Sequence, residues 1–461
     1  MQRRDHYDLA IIGSGSGNSV ITEEMADWRI AVIDSGIFGG TCLNVGCIPT
    51  KMFFYPADLA AAISDAGRLG VDATLDRVRW RDLRDRVFGR IDPISVAGRQ
   101  YRERGPGTAF YPARAEFVGP HELLVATGER ISADQIVIAT GSRATVPNVV
   151  RAAGVPFHTS DTIMRIDAPP RRLVILGGGY IAAEFAHIFS AFGARVTLIT
   201  RGDGLLRHLD GELSRRFTEL AGERWRLHLG ATAAAVAGTA EGVRLTLSDG
   251  ARVDADLLLV ATGRAPNADR IGADAAGIAR APDGRVAVDR YQRTSADGVW
   301  ALGDVCSPAM LKHVANHEAR VVAHNLVHPD ALVAADHRHL PAAVFTHPQL
   351  ASVGLTERTA REQGRDCAVA VQQYRDTAYG WAMEDTTSLC KLLADRDTGQ
   401  LLGAHLMGPQ ASVLIQPLVQ AMALGLPVAG LARAQYWIHP ALTEVVENAL
   451  LKLESALASG I

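Results

Sequence analysis

Short apolar runs recur along the chain, and two of them open the same pattern. YDLAIIG, from Tyr7, and RLVILGG, from Arg172, are each a brief apolar run that stops at glycines. A stretch patterned for a helix follows each, then a second apolar run, Ile30 to Ile33 and Val196 to Ile199. Apolar runs of this length bounded by turn residues read as buried strands. Both segments therefore predict strand, glycine turn, helix, strand. Three later runs, IVIATGS (136–142), LLLVATGR (257–264) and VWALGDV (299–305), predict strands that complete two sheets. After about Asp330 the glycine loops stop. Four apolar runs follow (PAAVFT, SVGLT, CKLLAD, LLGAHLMG), then helical stretches at 411–425 and 441–457, predicting a mixed α+β unit. Proline punctuation near 147–156 and 338–341 marks candidate boundaries.

The two glycine segments read as GSGSGN from Gly13 and GGGYIA from Gly177. Glycines after a strand let the backbone approach a pyrophosphate, and a helix N-terminus supplies N–H groups and a positive dipole end. One such loop is weak evidence; two, each in strand–turn–helix context, predict two dinucleotide cofactors. The expected fold class is α/β, with two Rossmann-like dinucleotide-binding domains and a C-terminal α+β domain. The expected boundaries are 1–148, 149–264, 265–337 returning to the first domain, and 338–461.

Composition narrows this further. A length of 461 residues predicts two to four domains, and 48% hydrophobic residues supply ample core. A net charge of −3 carries no bias towards polyanions, which argues against nucleic acid. No apolar run reaches the roughly 18 residues of a membrane span. The N-terminus reads as a first strand rather than a secretory signal, so a cytoplasmic location is expected. Only Lys51, Lys312, Lys391 and Lys452 are lysines, which makes each one noticeable.

The two sites differ in their acids. The strand after the first loop ends at Asp34, where a carboxylate can bond a ribose with a free 2′-OH. The strand after the second loop ends at Thr200 and Arg201, without an acid, and Arg207 follows. A 2′-phosphate needs cations, so the second site is expected to prefer NADPH to NADH. The first loop has Asn18 where the fingerprint expects its third glycine, a position that permits close helix–strand packing.

Between these loops lies GGTCLNVGCIPTK, residues 39–51, with Cys42 and Cys47. Zinc would want four ligands, and Cys306, Cys367 and Cys390 are scattered singly. A structural disulfide closing so short a loop would restrict the unfolded chain little. Two buried free thiols remain open as a reading. A redox pair fits better. On one regular helix, positions i and i+5 lie about 140° apart with a rise of ~7.5 Å. A bridge would therefore need a distorted segment, which Gly46 permits. Pro49 suits a helix first turn, where a nearby thiolate would be stabilised.

The two nucleotide loops with GGTCLNVGCIPTK resemble the flavoprotein disulfide reductases, the family of glutathione reductase and lipoamide dehydrogenase. The resemblance runs nearly end to end. TSADGVWALGDV (294–305) is similar to the family's second flavin motif, which implies Asp304 on the ribityl chain of FAD. WIHPALTEVVENAL (437–450) is similar to its C-terminal catalytic motif. That implies His439 as acid–base, Glu444 as its orienting partner, and a cis bond before Pro440. It further implies a homodimer joined through residues 338–461, in which the histidine serves the other subunit's site.

The resemblance implies the chemistry as well. NADPH reduces FAD, the flavin opens a Cys42–Cys47 disulfide, and Cys42 attacks a small-molecule disulfide. Cys47 would be the thiolate nearer the flavin. Lys51 and Glu184 match an ion pair beside the flavin, and Tyr180 the ring over the nicotinamide pocket. By motif position, Gly13, Ser14, Gly15, Gly17, Gly40, Thr41, Thr140, Gly141 and Gly303 would complete the flavin site. Gly177, Gly179, Ile181 and Gly263 would complete the NADPH site. Lys312 or His313, in LKHVANHEAR, is a candidate contact for the flavin pyrimidine, because that segment departs from the glutathione reductase pattern. Within the family, GSGSGN, HTSDTIMRI, LKHVANHEARVV, YGWAMEDT and QYWIHPAL are similar to a branch acting on the disulfide of a sugar-based thiol, and Asn18 matches it too. The rival is glutathione disulfide, whose carboxylates would want an Arg just after Asp34; Ser35 to Phe38 supply no cation.

Overall fold

The computed structural model describes residues 5–459. Asp5–Ile12 lies inside a seven-stranded sheet, and its Leu9 to Ile12 are all buried. It runs parallel to Ile30–Ile33, which is parallel to Thr108–Tyr111. On its other side lies Arg130–Ile138, parallel again, which also pairs with Val299–Ala301. Parallel strands need cover on both faces, hence the near-continuous apolar runs. The 299–305 run thus joins the first sheet across more than a hundred residues of intervening chain. Two antiparallel strands, Ala115–Gly119 and Glu122–Val125, finish that sheet.

A second, four-stranded sheet is wholly parallel, in the order Arg226–Leu229, Arg195–Thr200, Arg172–Leu176, Leu257–Val260. An antiparallel three-stranded sheet (Ala233–Thr239, Gly242–Leu247, Arg252–Ala255) follows it, and it shares a core with the parallel strands through Leu245, Val174 and Val260. The short pair Ser142–Ala144 and Arg264–Pro266 links the ends of the two sheets. The C-terminal part is a five-stranded antiparallel sheet containing all four expected runs, with the unforeseen strand Cys367–Gln373 at its edge. Helix Thr443–Ala458 packs on it through Val446, Leu450 and Leu453.

Two expectations need correction. The helix foreseen after the first glycine loop is only two 3-10 turns, Ser16–Val20 and Glu23–Met25, with Ile21 extended between them. Val20, Ile21 and Thr22 form a β-branched run, which loses side-chain freedom in a helix. Val20 and Met25 instead share a core with Ala319, Val322 and Ala323 of the helix Lys312–Val327. The stretch 411–425 is two pieces, Ala411–Leu414 and Gln416–Ala423. Pro417 sits at the start of the second piece, where its missing N–H costs no helical bond.

Two long helices, Cys47–Asp65 and Trp80–Arg104, bridge the sheets. Phe53 packs on Trp80 with ring centroids 5.1 Å apart, and Trp80 on Phe189 at 5.6 Å. Phe189 belongs to Tyr180–Ala191, the helix after the second glycine loop. The cysteine segment is thereby fixed against the unit built on the second parallel sheet. A buried ion pair makes another link: Lys391 Nζ lies 2.9 Å from Asp210 Oδ1 and 2.6 Å from Glu357 Oε2. Among the described residues no helix is long and apolar enough to cross a membrane.

Candidate active site

Gly39 (φ +98°) and Gly40 (φ +69°) turn the chain into the short helix Gly40–Asn44, which carries Cys42. Asn44 locks that turn by donating from Nδ2 to Phe38 O at 2.9 Å and Gly40 O at 3.0 Å. Val45 and Gly46 then leave helical geometry, and a new helix starts at Cys47. A Cβ at Gly46 would stand 2.9 Å from Thr41 O, so the break needs a glycine. This is the distortion that a redox pairing of the two cysteines requires. Cys47 occupies the first helical position, with Pro49 in the same turn.

The two thiols are unbridged and share a hydrogen bond. That bond holds Cys47 down to about 7, against the effect of burial, and the charge of Lys51 assists. Cys42 moves the opposite way. Giving its proton to Cys47 raises it, burial raises it further, and Lys312 opposes both. The pair therefore loses its first proton from the Cys47 side, one helical turn from Lys51.

Lys51 Nζ meets Glu184 Oε2 at 2.7 Å and lies 4.2 Å from the centroid of Phe345. Glu184 is buried in the first turns of Tyr180–Ala191, and its other oxygen accepts from Phe345 N at 3.0 Å. Lys51 and Glu184 are 133 positions apart in the chain, and the fold unites them in an ion pair. Tyr180 stands exposed at the head of the same helix. Loss of water raises its phenol; Asp304, Glu184 and Cys47 add to that and Arg264 opposes it. These four neighbours put Tyr180 at the same centre as the cysteines and Asp304. Asp304 accepts from Ser142 Oγ at 2.6 Å, and Arg264 holds Ser142 with bonds of 2.7 and 2.8 Å. Gly303, with φ +75°, donates its N–H to the buried Glu318 at 2.6 Å.

The first loop has the close backbone approach that a dinucleotide would need. A Cβ at Gly13 (φ +114°) would fall 2.3 Å from Ala139 O. Gly40 lies against Gly15, so close that a Cβ on it would reach Gly15 Cα at 2.7 Å. Asp34, at the strand end, accepts from Ser14 N at 2.7 Å and Ser14 Oγ at 2.6 Å, and through its other oxygen from Gly36 N. A carboxylate offers about four acceptor positions, so capacity remains for a ribose hydroxyl. Thr140 Oγ1 is buried with no partner among the described residues, which suits a ligand group there. Gly141, at φ +65°, follows it. Asn18 is not the packing position. A Cβ at Gly17 would meet Ala139 Cβ at 2.6 Å, so Gly17 has that role, while Asn18 Oδ1 accepts from Arg102 Nε at 2.8 Å.

The second loop fits a second dinucleotide. Gly177 has φ +136°, and a Cβ there would lie 2.2 Å from Ala261 O. Gly179 caps a true α-helix of 12 residues, whose first N–H groups have no helical acceptor. Ile181 packs inward and Gly263, at φ +120°, accepts from Thr145 N at 2.9 Å. Arg201 and Arg207 are exposed. Arg207 is not free: Asp203 pairs with its Nε at 2.9 Å. The strand end lacks an acid, but the next turn contains one.

His439 Nδ1 meets Glu444 Oε1 at 2.7 Å, and the His439–Pro440 bond is cis. Glu444 lies in the first turn of the C-terminal helix. The imidazole is 71% exposed, flanked by the exposed Tyr436 and Ile438. Within one chain, His439 bonds to Glu444 and to neither cysteine.

Sequence reading missed Ser142, Arg264, Glu318 and Phe345. Glu318 and Phe345 belong to no short motif. The signal for Arg264 and Ser142 was their place just after the two strand-end turns, ATGR and ATGS.

The chain carries a thiol pair set against two glycine loops and, apart from them, a His–Glu pair, the parts of a nucleotide-driven disulfide oxidoreductase. Family models agree: residues 7–319 match pyridine nucleotide-disulphide oxidoreductase, and residues 340–450 match the dimerisation domain of the same family. The chain belongs to that family. Mycothione reductase of Mycobacterium tuberculosis is 56% identical over 97% of this chain and 99% of its own length. Glutathione reductase of Burkholderia cepacia is 32% identical over 96% and 98%. Among solved structures, the HOCl-induced flavoprotein disulfide reductase RclA of Escherichia coli superposes with a TM-score of 0.85 at 28% identity. That match covers 97% of this chain and 99% of RclA.

Proposed function

We propose that this chain reduces mycothione, the disulfide of mycothiol, with NADPH, through FAD and the Cys42–Cys47 pair. The observation that carries the reading is the 56% identity to mycothione reductase across almost the whole chain, against 32% for glutathione reductase. Residues 1–148 and 265–337 would hold FAD, 149–264 would hold NADPH, and 338–461 would pair two copies. Gly13, Ser14, Gly15, Asp34, Thr140 and Asp304 would seat the flavin. Arg201 and Arg207 would receive the 2′-phosphate of NADPH.

Bound flavin supplies two-electron transfer from the nicotinamide to the cysteine disulfide. The chain's own groups do the rest. Lys51, paired to Glu184, puts a fixed cation one turn from Cys47 and favours its thiolate. Cys42, as thiolate, attacks one sulfur of the substrate. The substrate S–S bond breaks, a mixed disulfide forms at Cys42, and the leaving thiolate takes a proton from His439 of the second copy. Cys47 then attacks the Cys42 sulfur, releases the second thiol and restores the Cys42–Cys47 bond. The two electrons of the dithiol end in two product thiols. Glu444 fixes the imidazole through Nδ1, which leaves Nε2 for the proton. Exposed Tyr436 and Ile438 beside His439 suit burial against that second copy.

Steady-state NADPH oxidation with mycothione, glutathione disulfide and lipoamide in parallel tests the substrate; faster turnover of glutathione disulfide would overturn it. His439→Ala should leave reduction of the bound flavin by NADPH nearly intact and slow disulfide turnover by about a hundredfold or more. Equal loss of both halves would sink the assignment. In the two-electron-reduced enzyme, long-wavelength absorbance from the Cys47 thiolate should grow as pH rises through about 7 and fade below it.

A further inference from the structure

Two of the four lysines act on the cysteine pair, one on each thiol. Lys51 acts on Cys47. Lys312 is 261 residues beyond Lys51, yet its Nζ donates to Ser16 Oγ in the first glycine loop at 2.8 Å. Ser16 follows Gly15, which abuts Gly40, two residues before Cys42. The ammonium is partly buried and within Coulombic reach of the Cys42 sulfur.

Its place in the helix makes no sense for the helix alone. Lys312 is the first residue of Lys312–Val327, where a cation opposes the macrodipole. That end has no side-chain cap and no acid in its first turn to offset the charge. A lysine there costs helix stability and adds its charge to the positive end of the helix, both facing the glycine loop.

Cys42 needs that help. Once Cys47 is ionised, its charge and the shared proton both work against a Cys42 thiolate. The attacking sulfur must nevertheless be a thiolate.

We propose that Lys312 is the positioning cation of Cys42: tethered to Ser16, it favours the attacking thiolate, as Lys51 favours that of Cys47. The proposal rests on reading Cys42 and Cys47 as the redox pair. Cys42 gives its proton to solvent or to the incoming base, and its sulfur carries the pair of electrons that forms the new S–S bond.

The test uses flavin-loaded protein carrying Cys47→Ser, so that Cys42 titrates alone. Its alkylation by iodoacetamide is followed against pH, with and without Lys312→Gln, which keeps a donor for Ser16 but removes the charge. The glutamine variant should shift the midpoint upward and slow alkylation at pH 7 roughly three- to tenfold. Lys312→Arg should stay within about twofold of the parent. Ser16→Ala, which frees the ammonium without removing it, should give a smaller shift and covers the case of a glutamine variant that does not fold. An unchanged midpoint in the glutamine variant, or in Ser16→Ala if that is the variant obtained, overturns the proposal. Loss of flavin with an unchanged Cys42 midpoint also overturns it, and makes Lys312 a cofactor anchor. The underlying reading fails separately: wild-type protein that gains no pair of titratable thiols on NADPH treatment would have no redox pair for Lys312 to serve.

Discussion

The two glycine loops share a pattern and fold differently. Gly13 and Gly177 are equivalent: each has φ above +100° and a backbone carbonyl about 2.2–2.3 Å from where a Cβ would stand. Beyond that point they diverge. The second loop opens a 12-residue α-helix; the first opens two 3-10 turns braced by the distant helix Lys312–Val327. The second site thus has the positive end of its own helix to meet a pyrophosphate. At the first, the turn is local, and the helix that braces it brings Lys312 to Ser16 from elsewhere in the chain. A glycine pattern specifies where backbone comes close to phosphate; it does not specify which element supplies the charge.

The strongest way to break this comparison is to exchange the failures. Gly13→Ala should lose bound flavin and about 3 kcal/mol or more of stability, from strain and a backbone clash. Gly177→Ala should remain yellow yet lose reduction by NADPH. Absorbance spectra and stopped-flow reduction separate the two, and a colourless Gly177→Ala with a yellow Gly13→Ala would reverse the assignment of cofactors. Next in size, Arg201→Ala with Arg207→Ala should raise KM for NADPH roughly 10–100-fold while leaving NADH nearly unchanged. Equal loss with both nucleotides would mean that the arginines do not read the 2′-phosphate. Asp203→Asn sharpens the point, because it releases Arg207: KM for NADPH should fall by about two- to fivefold, the scale of one exposed ion pair. The smallest effect belongs to Asn18→Gly. It removes the bond to Arg102 and adds backbone freedom, at about 1 kcal/mol in urea unfolding of the holoenzyme. Gly17→Ala should cost more, about 1–3 kcal/mol, because Gly17 is the tightly packed position.

Lys51, Lys312 and Lys391 differ in how far along the chain their partners lie, and that distance decides what spacing alone can foresee. Lys51 was legible: it stands one turn after Cys47, so helical spacing alone brings them together. Lys312 was visible as an oddity in its segment, but its partner Ser16 is 296 residues away. Lys391 looked like one polar residue in an apolar strand. Only the fold shows it buried between Asp210 and Glu357, joining the C-terminal sheet to the N-cap of Gly211–Arg224. Expectations built on spacing within one element could reach as far as that element and no further. The same limit explains the first-loop helix: the β-branched run was present in the letters, but the helix that replaces its packing comes from residues 312–327.

What the sequence determined by itself was therefore the local chemistry. It set which backbone positions must be glycine, which thiols sit at a helix start, and that His439 and Glu444 are close enough in the chain to bond. Spacing and backbone sterics are properties of neighbouring residues, and they survive being read in one dimension. Tertiary structure decided the rest. It brought Glu184 to Lys51, Arg264 and Ser142 to Asp304, Glu318 to Gly303 and Lys312 to Ser16. Apart from Glu318 and Gly303, which are 15 residues apart, those bonds join segments more than a hundred residues apart in the chain, and burying apolar strands and helices together is what brings them within reach.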